Sequence, residues 1–361
     1  MGTLRFDYAC CARSPLRVNQ EKLLTMFKSL STLISGIPGN NNEKSNIIAR
    51  SPPDEIIAEC IEAFRLAELM QIINGLPVPD WDKFHDWYKR IEEPNKENKA
   101  WGECEIGWLL HLRDALGANY SLRNEGEILI LSSIDENVLK ATFDFIARTN
   151  RHIPKLLNGI AASPERGYDI MIVFDDEETY YNYVSRYDSE PGEYAYSGGM
   201  FINQGCGHFV TIKQDLTAME PTIAHELTHA ALSDLDLPLW LDEGITVNTE
   251  HRLARAGRPR FTPQEMHEKH LSFWGETEIQ EFWSGHSFSR PDDGNLLSYD
   301  LARILVAHFL ADWDKFREFV LSANTDDSGA SAALAHLGVS LGASAASLFD
   351  KEGQDWEPAL E

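Results

Sequence analysis

The stretch Ile223-Ala-His-Glu-Leu-Thr-His-Ala230, followed shortly by Trp240-Leu-Asp-Glu-Gly-Ile-Thr246, constrains this chain more than any other. On a helix, residues four apart stand one turn above each other, so His225 and His229 can aim two imidazole nitrogens at one point. Zinc takes that geometry, at roughly 2.0–2.1 Å from each nitrogen. Glu226 projects about 100° around the same helix, within reach of a water on the metal without being forced to ligate it. Ile223, Leu227, Ala230 and Ala231 fall on the opposite arc and can enter a core. Pro221 suits a first helical turn, and Asp234 to Pro238 break the helix. A second helix is expected to open near Trp240 and to carry Glu243, fourteen positions beyond His229, as an acidic third ligand that leaves a fourth position for water. Glu250 lies two turns further along the same face, where it can accept the second N–H of a ligating imidazole. The plain alternative, surface histidines and carboxylates on two unrelated helices, leaves the joint spacing without a reason.

These residues resemble the gluzincin metallopeptidases, and Trp240 to Glu250 is similar to the zinc-ligand helix of their aminopeptidase branch and of the related peptidase MA-like proteins. The resemblance implies one zinc ion per chain held by His225, His229 and Glu243, with Glu226 as general base and Glu250 behind a ligating histidine. Upstream, Ser197-Gly-Gly-Met-Phe-Ile202 is similar to the Gly-x-Met-Glu-Asn strand on which that branch lays its substrate, which puts Gly198, Gly199, Met200 and Phe201 in contact with substrate. Phe201 stands where the family's glutamate grips a free amino terminus, so endopeptidase rather than aminopeptidase action is expected. Tyr299 opens an apolar helix at a place comparable to a gluzincin tyrosine that donates to the developing oxyanion. A core tyrosine is the alternative there, and His286 is the second candidate for the role. The implied fold is α+β: a thermolysin-like catalytic domain over 119–361, with a small mixed sheet, an edge hairpin and a helical lobe. The same constellation also serves a non-peptidase zinc hydrolase acting on an ester or epoxide, or a binding protein that retains the lobe without turnover.

The balance of 57 Asp plus Glu against 32 Lys plus Arg gives a net charge of −25. Such a field repels phosphate backbones and anionic lipid, so no nucleic acid partner is expected; a peptide or protein substrate is what the resemblance implies. Five scattered cysteines without paired ligand spacing suit a reducing compartment. With no charged n-region ahead of an apolar run and no segment long enough to span a bilayer, a cytoplasmic protein is the default expectation. Oligomeric state is not legible.

Residues 1–118 read as an all-helical N-terminal region. It comprises an amphipathic helix near 20–35, a polar linker from Pro38, a helix over Asp54 to Asn74 stopped by Gly75, one capped by Asp80 displaying Trp81, Phe84 and Trp87, and a third from Trp101 to Leu116 after a charged connection. From about 119 strands alternate with helices: a strand at Glu127–Leu131, a long helix toward Leu157, a strand at Tyr168–Phe174, a tyrosine-rich helix, and a hairpin at the sheet's edge around Asn203-Gln-Gly-Cys-Gly207. Cys206 reads as a structural thiol, and His208 as open to either face.

Overall fold

The computed structural model describes residues 45–361 apart from 60, 92, 163–166, 188–197, 256–259, 352, 355, 360 and 361. The helix expected near 20–35, the linker after it, and Cys10, Cys11 and Cys60 lie outside the described residues. The architecture is mixed α and β, with a six-stranded sheet and a separate two-stranded one.

Strands β1 (Asn46–Ile47), β4 (Ser121–Glu125), β5 (Ile128–Ser132), β6 (Asp169–Phe174), β8 (His208–Ile212) and β7 (Gly199–Ile202) lie in that spatial order, with β2 (Met70–Ile73) and β3 (Leu76–Pro79) forming the small hairpin. The three central strands β5, β6 and β8 run parallel, while β4 and β7 are antiparallel to their neighbours. Buried parallel strands carry continuous apolar runs because both faces are covered, and Ile128-Leu-Ile-Leu131 and Ile170-Met-Ile-Val-Phe174 are such runs. Their side chains alternate between two cores: Ile130, Met171 and Val173 enter one, Leu131, Ile170 and Ile172 the other.

The first core is closed by α3 (Glu136–Leu156) and by the helices that follow the sheet: α5 (Leu216–Leu232), α6 (Leu239–Leu253), α7 (Pro263–Phe273), α8 (Glu276–Trp283), α9 (Asp293–Phe309) and α10 (Trp313–Ser322). The second is closed by α1 (Trp81–Tyr88), α2 (Pro94–Leu116) and α4 (Glu177–Val184). This second core runs across the boundary expected at 118/119: β1 pairs with β4, and Trp87, Trp108 and Leu109 pack with Leu129 and Ile172. Among the described residues no helix is long and apolar enough to cross a membrane.

The expectation of an all-helical region before 119 is corrected at Asp54 to Asn74. There the chain forms a bridge between Ile56 and Phe64 and then the β2–β3 hairpin. Asn74 and Gly75 both have positive φ, 50° and 82°, as a tight two-residue hairpin turn requires. A pair of residues that reads as a helix stop is a hairpin turn. The charged connection expected at Pro94 to Lys99 is instead the first turns of α2, with Pro94 at the helix start, where its missing N–H costs nothing. Asp80 caps α1 as expected, accepting from the Lys83 N–H.

Candidate metal centre

β7 is the edge strand of the large sheet among the described residues, and the chain returns from β8 directly into α5, so the histidine helix lies beside that edge. Two glycines set how close the parts come. A Cβ on Gly199 would stand 2.3 Å from Thr222 Cγ2, so β7 can approach α5 only with glycine there. A Cβ on Gly244 would stand 2.6 Å from the Ala302 carbonyl oxygen, so the residue after Glu243 lets α6 close on α9. Asn248 fastens that contact, donating to the carbonyls of Gly244 and Arg303. Helix α5 begins at Leu216, five positions ahead of Pro221, which therefore lies inside the helix rather than in its first turn.

α5 and α6 bring His225, His229 and Glu243 together, with one ligand atom of each within 4.8 Å of the others. The two Nε2 atoms are 3.1 Å apart, and Glu243 Oε2 lies 3.3 Å from one and 3.5 Å from the other. Both Nδ1 atoms face carboxylates: His225 donates to Glu250 at 3.1 Å and His229 to Asp242 at 3.0 Å. An ionised carboxylate only accepts, so each Nδ1 carries the hydrogen and each Nε2 turns a lone pair toward the same point. Two such lone pairs and a carboxylate oxygen cannot face one another without positive charge between them. Glu243 Oε2 is buried and has no hydrogen-bond partner, as an atom waiting for a cation would be. The residues present therefore fit a divalent metal.

The electrostatics agree. Burial presses His225 toward the neutral ring, but Glu243 and Glu250 outweigh it and lift the pKa to about 9. His229 is raised against burial by Asp242 and Glu243. Burial would raise Glu243, and the two imidazoles instead hold it well below the usual carboxylate range. Glu226 is the exception. Burial pushes its carboxyl up, the histidines pull it back only in part, and the Phe201 N–H donates to it.

Gly199, Met200 and Phe201 line a cleft of about 440 Å³ together with Glu226, Glu243 and Tyr299. Gly198 is not among the lining residues; its carbonyl accepts from Thr211 Oγ1 at 2.5 Å. Tyr299 packs its ring edge-on to Phe288, and burial with the carboxyls of Glu243 and Glu226 keeps its phenol well above the usual range, hence a donor. His286 pairs with Ser284 at 2.8 Å and does not line the cleft. Glu250 stands behind His225, the place expected of it. Asp242 was not anticipated; the signal was its position beside Glu243, since the second histidine also needs an acceptor. His208 is buried, its Nδ1 donating to the Cys206 carbonyl at 2.9 Å and its Nε2 accepting from the Tyr183 hydroxyl at 2.7 Å. Cys206 is a free buried thiol. Scanned against protein-family models and compared with curated proteins, the chain matches none.

Proposed function

We propose that this chain is a zinc-dependent peptidase of the gluzincin kind, built on a thermolysin-like domain and cleaving within peptides. The observation that carries this reading is the convergence of His225 Nε2, His229 Nε2 and Glu243 Oε2 beside the buried carboxyl of Glu226. A zinc ion held by those three residues would supply Lewis acidity and lower the pKa of a water from about 15.7 toward about 7. Glu226 then takes the proton of the attacking water and returns it to the departing amine, a task suited to a carboxyl whose pKa is already raised by burial. Tyr299 donates its O–H to the oxyanion.

The position of β7 as the edge strand among the described residues supports an extended peptide as substrate. Phe201 turns its N–H away from β8 toward Glu226, and by strand alternation Gly199 faces the same way. Their outward carbonyls and the Gly199 N–H can hold a peptide by strand addition, with the scissile bond above the metal ligands. Phe201 brings no charge for a free amino terminus, which favours cleavage within chains.

The decisive experiment is Glu226→Gln, assayed on a panel of denatured proteins with metal content measured by elemental analysis. Zinc is expected to stay at one equivalent while cleavage falls to background. Full activity in the variant would remove Glu226 as base. Turnover of small esters but no peptide by the wild type would move the reading to another zinc hydrolase, and metal-free wild-type protein would favour a binding role.

A further inference from the structure

β7 is held at its two ends by different parts of the molecule. It is four residues long, and among the described residues its one hydrogen-bonded neighbour in the sheet is β8. At its start Gly199 lies against Thr222 of α5. At its end the chain turns back through Asn203 to Gly207, and there it meets Trp81 of the N-terminal region. A Cβ on Gly205 would stand 2.1 Å from Cδ1 and 2.3 Å from Cγ of the indole, so the ring lies directly against the backbone of the turn. Gly205 has a φ of 82°, a conformation that glycine takes without strain.

Trp81 is itself fixed. It opens α1 directly after the Asp80 cap and stands edge-on to Trp108 at 5.5 Å and to Phe84 at 5.9 Å. Trp108 is fully buried, donates to the Pro77 carbonyl and stands edge-on to the His208 ring at 5.1 Å. One aromatic cluster therefore reaches the turn through Trp81 and the first residue of β8 through Trp108. Rings packed edge to face at these distances resist displacement because any shift opens a gap that nothing else fills. Released from such a brace, a short edge strand regains backbone freedom, and that freedom has to be removed again before a peptide can pair with it.

The turn continues into the metal cleft, which Gly199, Met200, Phe201 and Asn203 line. We propose that Trp81 is a positioning residue for the substrate strand: by holding Gly205 it fixes the β7–β8 hairpin, and with it the edge from Gly199 to Asn203 at which an extended peptide is bound. The N-terminal region then takes part in substrate binding without touching the substrate. His225, His229 and Glu243 stand on α5 and α6 rather than on the hairpin, so the brace acts on peptide binding and leaves metal binding alone. The proposal rests on the peptidase reading.

The test uses the full-length, metal-loaded protein and a peptide spanning a cleavage site found in a denatured-protein digest. KM, kcat, zinc content and amide hydrogen exchange over 199–207 are measured. In Trp81→Leu, KM is expected to rise about tenfold, roughly the cost of reordering one backbone residue. There kcat should change less, zinc should stay at one equivalent and exchange over 199–207 should quicken. Trp81→Phe, which keeps a flat ring on Gly205, should recover most of the affinity, and Gly205→Ala, whose methyl enters the indole, should raise KM as Trp81→Leu does. Trp87→Leu is the control: Trp87 lies on the same helix but packs against Phe64 and Phe84, so its loss should lower Tm while KM and the exchange of 199–207 stay as in the wild type. Wild-type KM and exchange in Trp81→Leu, or the same changes in Trp87→Leu, overturn the proposal. If Trp81→Leu does not fold, Gly205→Ala and Trp81→Phe carry the comparison. Should the wild type cleave no peptide, the peptidase reading fails separately. Hydrogen exchange then decides the brace: quickening in Trp81→Leu but not in Trp87→Leu supports it, and no difference overturns it.

Discussion

His208 and the pair His225 and His229 belong to the same compact unit, and burial presses all three toward the neutral ring. They end in opposite states. His208 is driven down to about 3, first by burial and further by Arg186, because its own partners are a phenol and a carbonyl. His225 rises to about 9 because Glu243 and Glu250 hold it, and Asp242 does the same for His229. The carboxyls divide in the same way. Glu105 has two N–H donors, Trp101 Nε1 and the Tyr168 amide, and no cation among its described partners; burial takes it up to about 8. Glu243, equally buried, is held low by two imidazoles. Burial alone therefore does not mark a site. An excess of carboxylates around lone pairs does, because that arrangement stays in deficit until protons or a dication supply positive charge.

The strongest way to break this contrast is to remove the central charge. In metal-free protein at pH 7, Glu243→Gln leaves two buried imidazoles without their shared partner and is expected to cost about 3–5 kcal/mol in urea unfolding. A variant as stable as the wild type would mean that the cage holds no net tension.

Glu105 tests the other half. Its folded pKa of about 8 lies above the reference 4.5, so the stability it contributes is complete below about pH 4.5 and is lost as pH rises through about 8. Wild-type stability should fall by a few kcal/mol across that window on this account, and Glu105→Gln should flatten the profile of Tm against pH. An unchanged slope would place the carboxyl in contact with a cation or with water.

Smaller effects are expected from the acceptors behind the ligands. Asp242→Asn and Glu250→Gln should each weaken metal binding about 10–100-fold in competition with a chelator, while leaving metal-free stability less affected than Glu243→Gln does. The smallest change belongs to His208→Asn, about 1 kcal/mol for a rearranged hydrogen bond, with metal affinity unchanged. A loss of metal there would join the two histidine environments that the structure keeps apart.

Much of the site was legible because its logic is local. Four residues on a helix make one turn, so His225 and His229 had to share a face, and Glu250 had to fall two turns beyond Glu243. The edge hairpin was legible from its turn residues and the paired apolar runs. Asn74-Gly75 shows the limit of such reading: the same dipeptide can stop a helix or turn a hairpin, and the pairing of Met70–Ile73 with Leu76–Pro79 decides for the hairpin. Tyr299, whose sequence position leaves it open between core and cleft, packs against the core through Phe288 and lines the cleft as well.

Acting alone, the order of amino acids determined which side chains could share a helical face or a sheet face, because helix and strand periods are properties of the backbone. It left open everything that depends on one element meeting another. That α6 delivers Glu243 to the two imidazoles, that Asp242 rather than solvent receives the His229 N–H, and that Trp81 lies against Gly205 were decided by tertiary packing. The reason is physical: those contacts join residues far apart along the chain, and their distances are set by which surfaces exclude water from one another.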